Sequence, residues 1–392
     1  MSDESKFHPR PSSSSSEIPT EIVSEAEMAL IEAALAAAVR SSAPAALSSS
    51  SSPIRRSFPS GRVLSGCSSS QAARDIEDLS LPAPKRAKAA ESLFKRFRKR
   101  RGLMVTDITA AEWCEKQMEF TLLQGRPKRT HAMKAGSTRH EELEEEIIKR
   151  VQVSVQSAED SWAVKLMNFI AGANQILFDG LTREIPVVGL VEGVWMVGVI
   201  DEIRMSVTES DEHPLLVDTK TRSRPSLPSE AQKRNARFQL MCYKYMWDNI
   251  VTNEFPSTHF FEYFGLDPQC TLSGDVRKCL AESGLKSKTF GELVKYFTVT
   301  CHLLPRTNEQ LLLRYEYQAD HSLLGEDKFA YDPNWVKGQM EWHLKFWMGE
   351  REANYVSSGE EWKCRFCSFS SKCIMGNQPE KLADEGQEKS SP

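Results

Sequence analysis

Hydrophobic and polar positions change their rhythm several times along this chain. From residue 105, VTDITAAEWCEKQMEFTLLQG repeats apolar residues at helical spacing, with Thr106 or Asp107 able to cap the first turn. RHEELEEEIIKRVQVSV (139–155) carries the same period. The period then falls to two. WMVGVIDEIRMSV (195–207) alternates β-branched residues and reads as a strand, ESDEH (209–213) as its turn, and PLLVDTKTR (214–222) as the returning strand of a hairpin. RSRPSLPSE (222–230) is a loop, and AQKRNARFQLMCYKYMWDNIV (231–251) is helical again. A variable stretch of helices and strands follows to about 335, and NWVKGQMEWHLKFWMGEREAN (334–354) is the last helix. The chain has no internal repeat.

The first 90 residues lack this patterning. SSSSS at 12–16 and ALSSSSSPIRRSFPSGRVLSGCSSSQAAR at 46–74 cannot bury enough apolar surface to offset the entropy of ordering, so residues 1–90 read as a disordered region. One helix-like island, 21–40, interrupts it. Residues 28–74 start at a methionine, hold one acid (Glu32) and five arginines, which is the composition of an organelle transit peptide for a chloroplast or mitochondrion. The acids at 3–27 fit that reading only if translation starts at Met28. PAPKRAK (82–88) offers a nuclear signal instead, and a plain tail is the third reading. Residues 379–392 form a polar tail.

Composition narrows the class. The 392 residues, 40% hydrophobic, suffice for one large domain or two smaller ones, and their net charge of −4 does not advertise a polyanion partner, although it can hide local patches. No run of 18 apolar residues exists, so no membrane partner is expected. Nine cysteines without a secretory signal suggest a reducing setting, where close cysteines bind metal rather than pair.

Two groups of residues carry chemistry. Asp201 and Asp218 end apolar strand runs that face each other in the hairpin, and Lys220 shares a strand face with Asp218. Converging carboxylates repel unless a cation such as Mg²⁺ sits between them, and a nearby ammonium can then screen charge on a phosphodiester. His140, with Glu141 beside it, is expected at the start of a helix; Gln239 and Tyr243 lie one turn apart on another. Each feature alone is more often structural. The second group is Cys364, Cys367 and Cys373, a three-thiol stretch with no histidine nearby and therefore short of a fourth ligand.

In this order, Gly136 with His140, Asp201, Asp218 with Lys220, and Gln239 with Tyr243 resemble the RecB-like branch of the PD-(D/E)XK nucleases. One subset of that branch carries an iron–sulfur cluster, with one cysteine before the nuclease motifs and three after them. VTDITAAEWCEKQMEF, GVIDEIRM, VDTKTR and WKCRFCSFSSKC are similar to the exonuclease V family within it. The resemblance covers about 91–378, and it implies an α/β restriction-endonuclease-like core, a mixed central sheet flanked by helices, clasped by a four-cysteine cluster. It implies a Mg²⁺-dependent exonuclease specific for single-stranded DNA, serving DNA repair, acting as a monomer and meeting single-strand-binding protein on its substrate. His140, Asp201, Asp218 and the Thr219 carbonyl would be metal ligands, Lys220 the catalytic lysine, Gln239 and Tyr243 organisers of the site. Cys114, Cys364, Cys367 and Cys373 would hold a 4Fe–4S cluster. Many relatives have Glu where Asp218 stands, and the shorter arm brings any metal nearer the strand.

Cys114 and Cys364 are 250 positions apart. Closing a loop of that length by a shared cluster is worth roughly 5 kcal/mol by analogy with disulfide closure. Zinc is the chemical rival for the same four thiols. Cys67, Cys242, Cys270, Cys279 and Cys301 read as core or inert. Basic groups at 95–101, at Lys128, Arg129, Lys134 and Arg139, and at Arg222, Arg224, Lys233, Arg234 and Arg237 could line a path for phosphates. Trp342, Phe346 and Trp347 read as core rather than a stacking platform. The alternatives are a catalytically silent DNA-binding protein with a structural zinc or iron–sulfur site, and an iron–sulfur redox protein; no Gly-rich phosphate loop supports the latter.

Overall fold

The structure, a computed structural model, describes residues 91–147, 153–205 and 213–376. The expected disordered N-terminal region with its targeting signals, the tail from 379 and most of the 209–213 turn lie outside the described residues.

The chain opens with α1 (Leu93–Phe97), a two-residue strand β1 (Leu103–Met104), α2 (Val105–Trp113) and α3 (Glu115–Gln124). The expected single helix over 105–125 is corrected here: Cys114 is extended (φ −171°, ψ 112°) and separates α2 from α3. A distant segment makes the break. The Lys116 amide donates to the Asn354 carbonyl at 3.0 Å, and the Asn354 amide donates to Glu115 Oε2 at 2.8 Å. Local period cannot report a partner 238 positions away.

Helix α4 (His131–Glu145) begins eight residues before the expected start, capped by Thr130, whose hydroxyl accepts from the Met133 amide. His140 therefore sits within the helix, not at its first turn. Next come α5 (Ala158–Asp179) and β2 (Leu181–Val191), which the sequence reading leaves unassigned, then β3 (Val194–Arg204) and β4 (Leu215–Arg222). Glu192 and Gly193 both have positive φ (47° and 78°), which makes the two-residue turn whose twist suits a β2–β3 hairpin. Helix α6 (Glu230–Thr252) matches expectation. The variable stretch resolves into α7 (Ser257–Phe264), α8 (Gly274–Glu282), α9 (Phe290–Leu303), β5 (Gln310–Tyr317) and β6 (Leu323–Ala330). The last helix, α10 (Pro333–Met348), stops short of 354 because Gly349 takes a left-handed cap.

Six strands form one mixed sheet. β2 pairs antiparallel along β3; the other edge of β3 is shared by β1, in parallel at Met196–Val197, and β4, antiparallel at Glu202–Arg204. β5 continues parallel to β4, and β6 closes the edge antiparallel to β5. Helices flank this sheet: α5 and α6 pack on β2, and α4 lies on β4. Trp195 of β3 and Trp247 of α6 are fully buried, and Trp195 packs against Phe255, Phe260 and Phe264. Phe346 and Trp347 are core as expected, whereas Trp342 is half exposed beneath Arg351. Among the described residues, no helix is long and apolar enough to cross a membrane.

Candidate active site

Sheet register assembles the acids. Arg183 pairs with Glu202 and Ile185 with Ile200, so Glu184 on β2 comes opposite Asp201 on β3. One step beyond the paired Glu202 and Val217, Asp201 in turn comes opposite Asp218 on β4. Glu184, Asp201 and Asp218 thus form a row across three neighbouring strands. Like charges so placed destabilise a sheet. Glu184 also adopts a left-handed backbone (φ 49°), a conformation that costs a non-glycine residue about 1 kcal/mol.

Helix α4 brings His140 over the row. Its Nδ1 lies 3.3 Å from Glu184 Oε1 and 3.6 Å from Asp201 Oδ2, and ligand atoms of these three residues all lie within 4.8 Å of one another. Close approach of α4 to the sheet depends on Gly136: a Cβ there would stand 3.1 Å from Thr221 Oγ1. Gln318 pins the two together, its Nε2 donating to the Ala132 carbonyl and to Thr221 Oγ1. Burial alone would depress the His140 imidazole, but Asp201 and Glu184 outweigh it and raise the group to about 9.

Asp218 is buried, and burial, aided by Asp201 and opposed by Lys220, pushes its carboxyl up to about 8. Lys220 Nζ lies 2.9 Å from Asp218 Oδ2 and donates to Gln239 Oε1 at 3.0 Å. Two buried acceptors, Asp201 Oδ2 and Asp218 Oδ1, receive no hydrogen bond. Crowded carboxylates with orphaned oxygens and a histidine fit a hard divalent cation. Thr219 and Glu144, one turn beyond His140, line the same cleft. Tyr243 follows Gln239 by one turn of α6. It is buried on the inner side of α6, so close to β3 that a Cβ at Gly198 would be 2.6 Å from its ring.

The cleft measures about 660 Å³ and is open to solvent; Arg129 and Arg222 line it beside the acids. Other arginines of the basic groups are spent within the protein: Arg98 on Asp107 at 2.6 Å, Arg139 on Glu316 at 2.9 Å, Arg237 on Asp327 at 2.8 Å.

The four candidate cysteines also converge. Cys114, Cys364, Cys367 and Cys373 line one small cavity walled by Trp113, Phe120 and Tyr355. Burial raises the Cys114 and Cys364 thiols, and the neighbouring sulfurs add to it. The Phe369 amide donates to Cys367 Sγ at 3.4 Å. Four half-buried thiols lining one cavity are the donor type that soft cations take. Cys242, Cys279 and Cys301 are buried as expected.

Glu184 is the residue that pattern reading overlooks, although a signal was present. V-E-G-V at 191–194 is a tight-turn sequence between apolar runs, and counting back from it places Glu184 opposite Asp201.

A mixed sheet whose strand acids meet a lysine at the floor of an arginine-edged cleft defines a hydrolase acting on a polyanion, a nuclease. A family described as "Exonuclease V - a 5' deoxyribonuclease" matches residues 92–215, 205–296 and 277–374. Over 288 residues, 72% of each chain, the protein is 33% identical to exonuclease V of Danio rerio. Over 70 residues, 17% of this chain and 11% of the relative, it is 37% identical to the mitochondrial exonuclease V of Candida dubliniensis. The chain belongs to the exonuclease V family, and its substrate is DNA.

Proposed function

We propose that this protein is a Mg²⁺-dependent exonuclease of single-stranded DNA, working as a monomer in genome maintenance on strands presented with single-strand-binding protein. Its nuclease domain spans 91–378 and has a PD-(D/E)XK core. The observation that carries this reading is the row Glu184, Asp201 and Asp218 beside Lys220.

His140, Glu184, Asp201 and Asp218, with the Thr219 carbonyl, would hold the cation. When bound, the cation supplies Lewis-acid charge and lowers the pKa of a coordinated water. Lys220 is fixed between Asp218 and Gln239, so its ammonium is preoriented to align the attacking water and screen charge developing on the phosphate. Arg129 and Arg222 hold flanking phosphates in the cleft. Tyr243, one turn beyond Gln239 and packed against β3, helps to organise the site.

Cys114, Cys364, Cys367 and Cys373 would hold a 4Fe–4S cluster and so clasp the two ends of the domain. The test of that assignment is iron content and visible absorption of anaerobically purified protein; stoichiometric zinc without iron refutes it. The relative named mitochondrial and the composition of 28–74 support an organelle address, mitochondrion before chloroplast, over the nuclear reading of 82–88. A reporter carrying residues 1–90, with and without Met28, decides among them.

For catalysis the test is degradation of labelled single-stranded and duplex DNA with Mg²⁺. Wild type is expected to shorten only the single strand, and Asp218→Ala and Lys220→Ala to leave it intact. Equal degradation by all three proteins would assign the activity to a contaminant.

A further inference from the structure

The helix that carries Gln239 is tied to both segments that carry the clasp cysteines. Arg234 lies on α6, five residues before Gln239, or about 7.5 Å along the helix. Its Nε donates to Glu112 Oε1 at 2.8 Å, and its Nη2 donates to Glu360 Oε1 at 2.9 Å and Oε2 at 3.1 Å. Glu112 stands two residues before Cys114, and Glu360 four before Cys364. The guanidinium is therefore shared between carboxylates from the two segments that supply the thiols. The junction is completed by Lys363, whose buried ammonium donates to Glu360 Oε2 at 2.6 Å and to the Trp113 carbonyl at 3.4 Å. One residue on from Arg234, Asn235 Nδ2 donates to the Thr109 carbonyl at 2.6 Å, which fixes the same turn of α6 to α2.

Resting on the function proposed above, we propose that Arg234 is the positioning residue through which the closed cysteine clasp sets α6, and with it the Gln239–Lys220 contact, for cleavage. The physical basis is charge. With the clasp closed, Glu112 and Glu360 converge and repel, and a guanidinium between them is held from both sides in a fork that a lysine cannot match. With the clasp open, Glu360 leaves with the C-terminal segment, and the first turns of α6 lose an anchor. Gln239 rides on the following turn, so the orientation of Lys220 against Asp218 loosens while its identity and charge are untouched.

The experiment compares wild type, Arg234→Met, Arg234→Lys and Cys364→Ser as full chains. It reads the metal content of the clasp, kcat and KM on a labelled single strand, and hydrogen exchange of α6 amides 231–239. Arg234→Met is expected to keep its clasp metal, lose about ten- to hundredfold in kcat with KM within about twofold, and exchange those amides about tenfold faster. Arg234→Lys recovers part of both losses. Cys364→Ser speeds the same amides, and adding Arg234→Met to it changes them no further. Unchanged α6 exchange in either single variant overturns the proposal, and so does loss of clasp metal by Arg234→Met, which would make the residue a mere prop of the clasp. The exchange arm needs no turnover. An inactive wild type would therefore sink the proposed function and leave the coupling to be decided by exchange alone.

Discussion

Replacing Glu115 by Gln should destabilise the domain by about 3 kcal/mol at pH 7, and the penalty should shrink in acid. Glu115 follows Cys114 and is only 3% exposed. It is the hub between α3 and the chain's far end: Arg351 grips both carboxylate oxygens, His343 Nδ1 lies 3.0 Å from Oε1, and the Asn354 amide donates to Oε2 at 2.8 Å. Burial alone would raise this carboxyl, but Arg351, His343 and the Asn354 amide together hold it near 2, against an ordinary 4.5. That depression corresponds to about 3 kcal/mol favouring the charged form. The sign follows from a depressed pKa: the contribution is complete above about 4.5 and disappears as pH falls toward 2. It should therefore drop to about 1 kcal/mol at pH 3. Glutamine keeps the shape but leaves Arg351 without its counter-charge. Urea unfolding of both proteins, followed by tryptophan fluorescence between pH 7 and pH 3, measures the gap. A difference under about 1 kcal/mol at pH 7, or one that widens in acid, would refute the reasoning.

Glu184→Gln should raise the Mg²⁺ concentration for half-maximal cleavage by about tenfold or more. An unchanged Mg²⁺ requirement counts against Glu184 as part of the row. Gly198→Ala forces a Cβ to within 2.6 Å of the Tyr243 ring. A loss of about 1–3 kcal/mol in unfolding experiments is expected, relieved by Tyr243→Leu. EDTA should abolish cleavage, and added Mg²⁺ restore it, with the circular dichroism spectrum unchanged throughout, since the protein contacts around Glu115 hold the ends together without that cation.

Much of the site was legible because its chemistry is written in local spacing. Asp218-x-Lys220 share a face by the period of a strand, Gln239 and Tyr243 by that of a helix, and Cys364-x2-Cys367 needs only a short turn. The β3–β4 hairpin followed from alternation alone. What local spacing hid was anything set by a partner: the helix break at Cys114, the placing of His140 within its helix, and Glu184.

Residue types and their order are carried by the chain alone: acids ending apolar strands, a lysine two positions on, one cysteine far upstream of three others. The tertiary structure decided which of them meet. Strand register across β2, β3 and β4, not chain distance, puts Glu184, Asp201 and Asp218 in a row, and a glycine at 136 lets α4 come close enough to set His140 over them. It likewise spent Arg98, Arg139, Arg234 and Arg237 on buried or bridging carboxylates, while Arg129 and Arg222, which line the cleft, bond among the described residues only to neutral acceptors at Ser137, Ser226 and Gln232. The physical reason is reach: backbone periodicity fixes neighbours within a turn or a hairpin, whereas repulsion, burial and ion pairing act between groups that only the completed fold brings within a few ångströms.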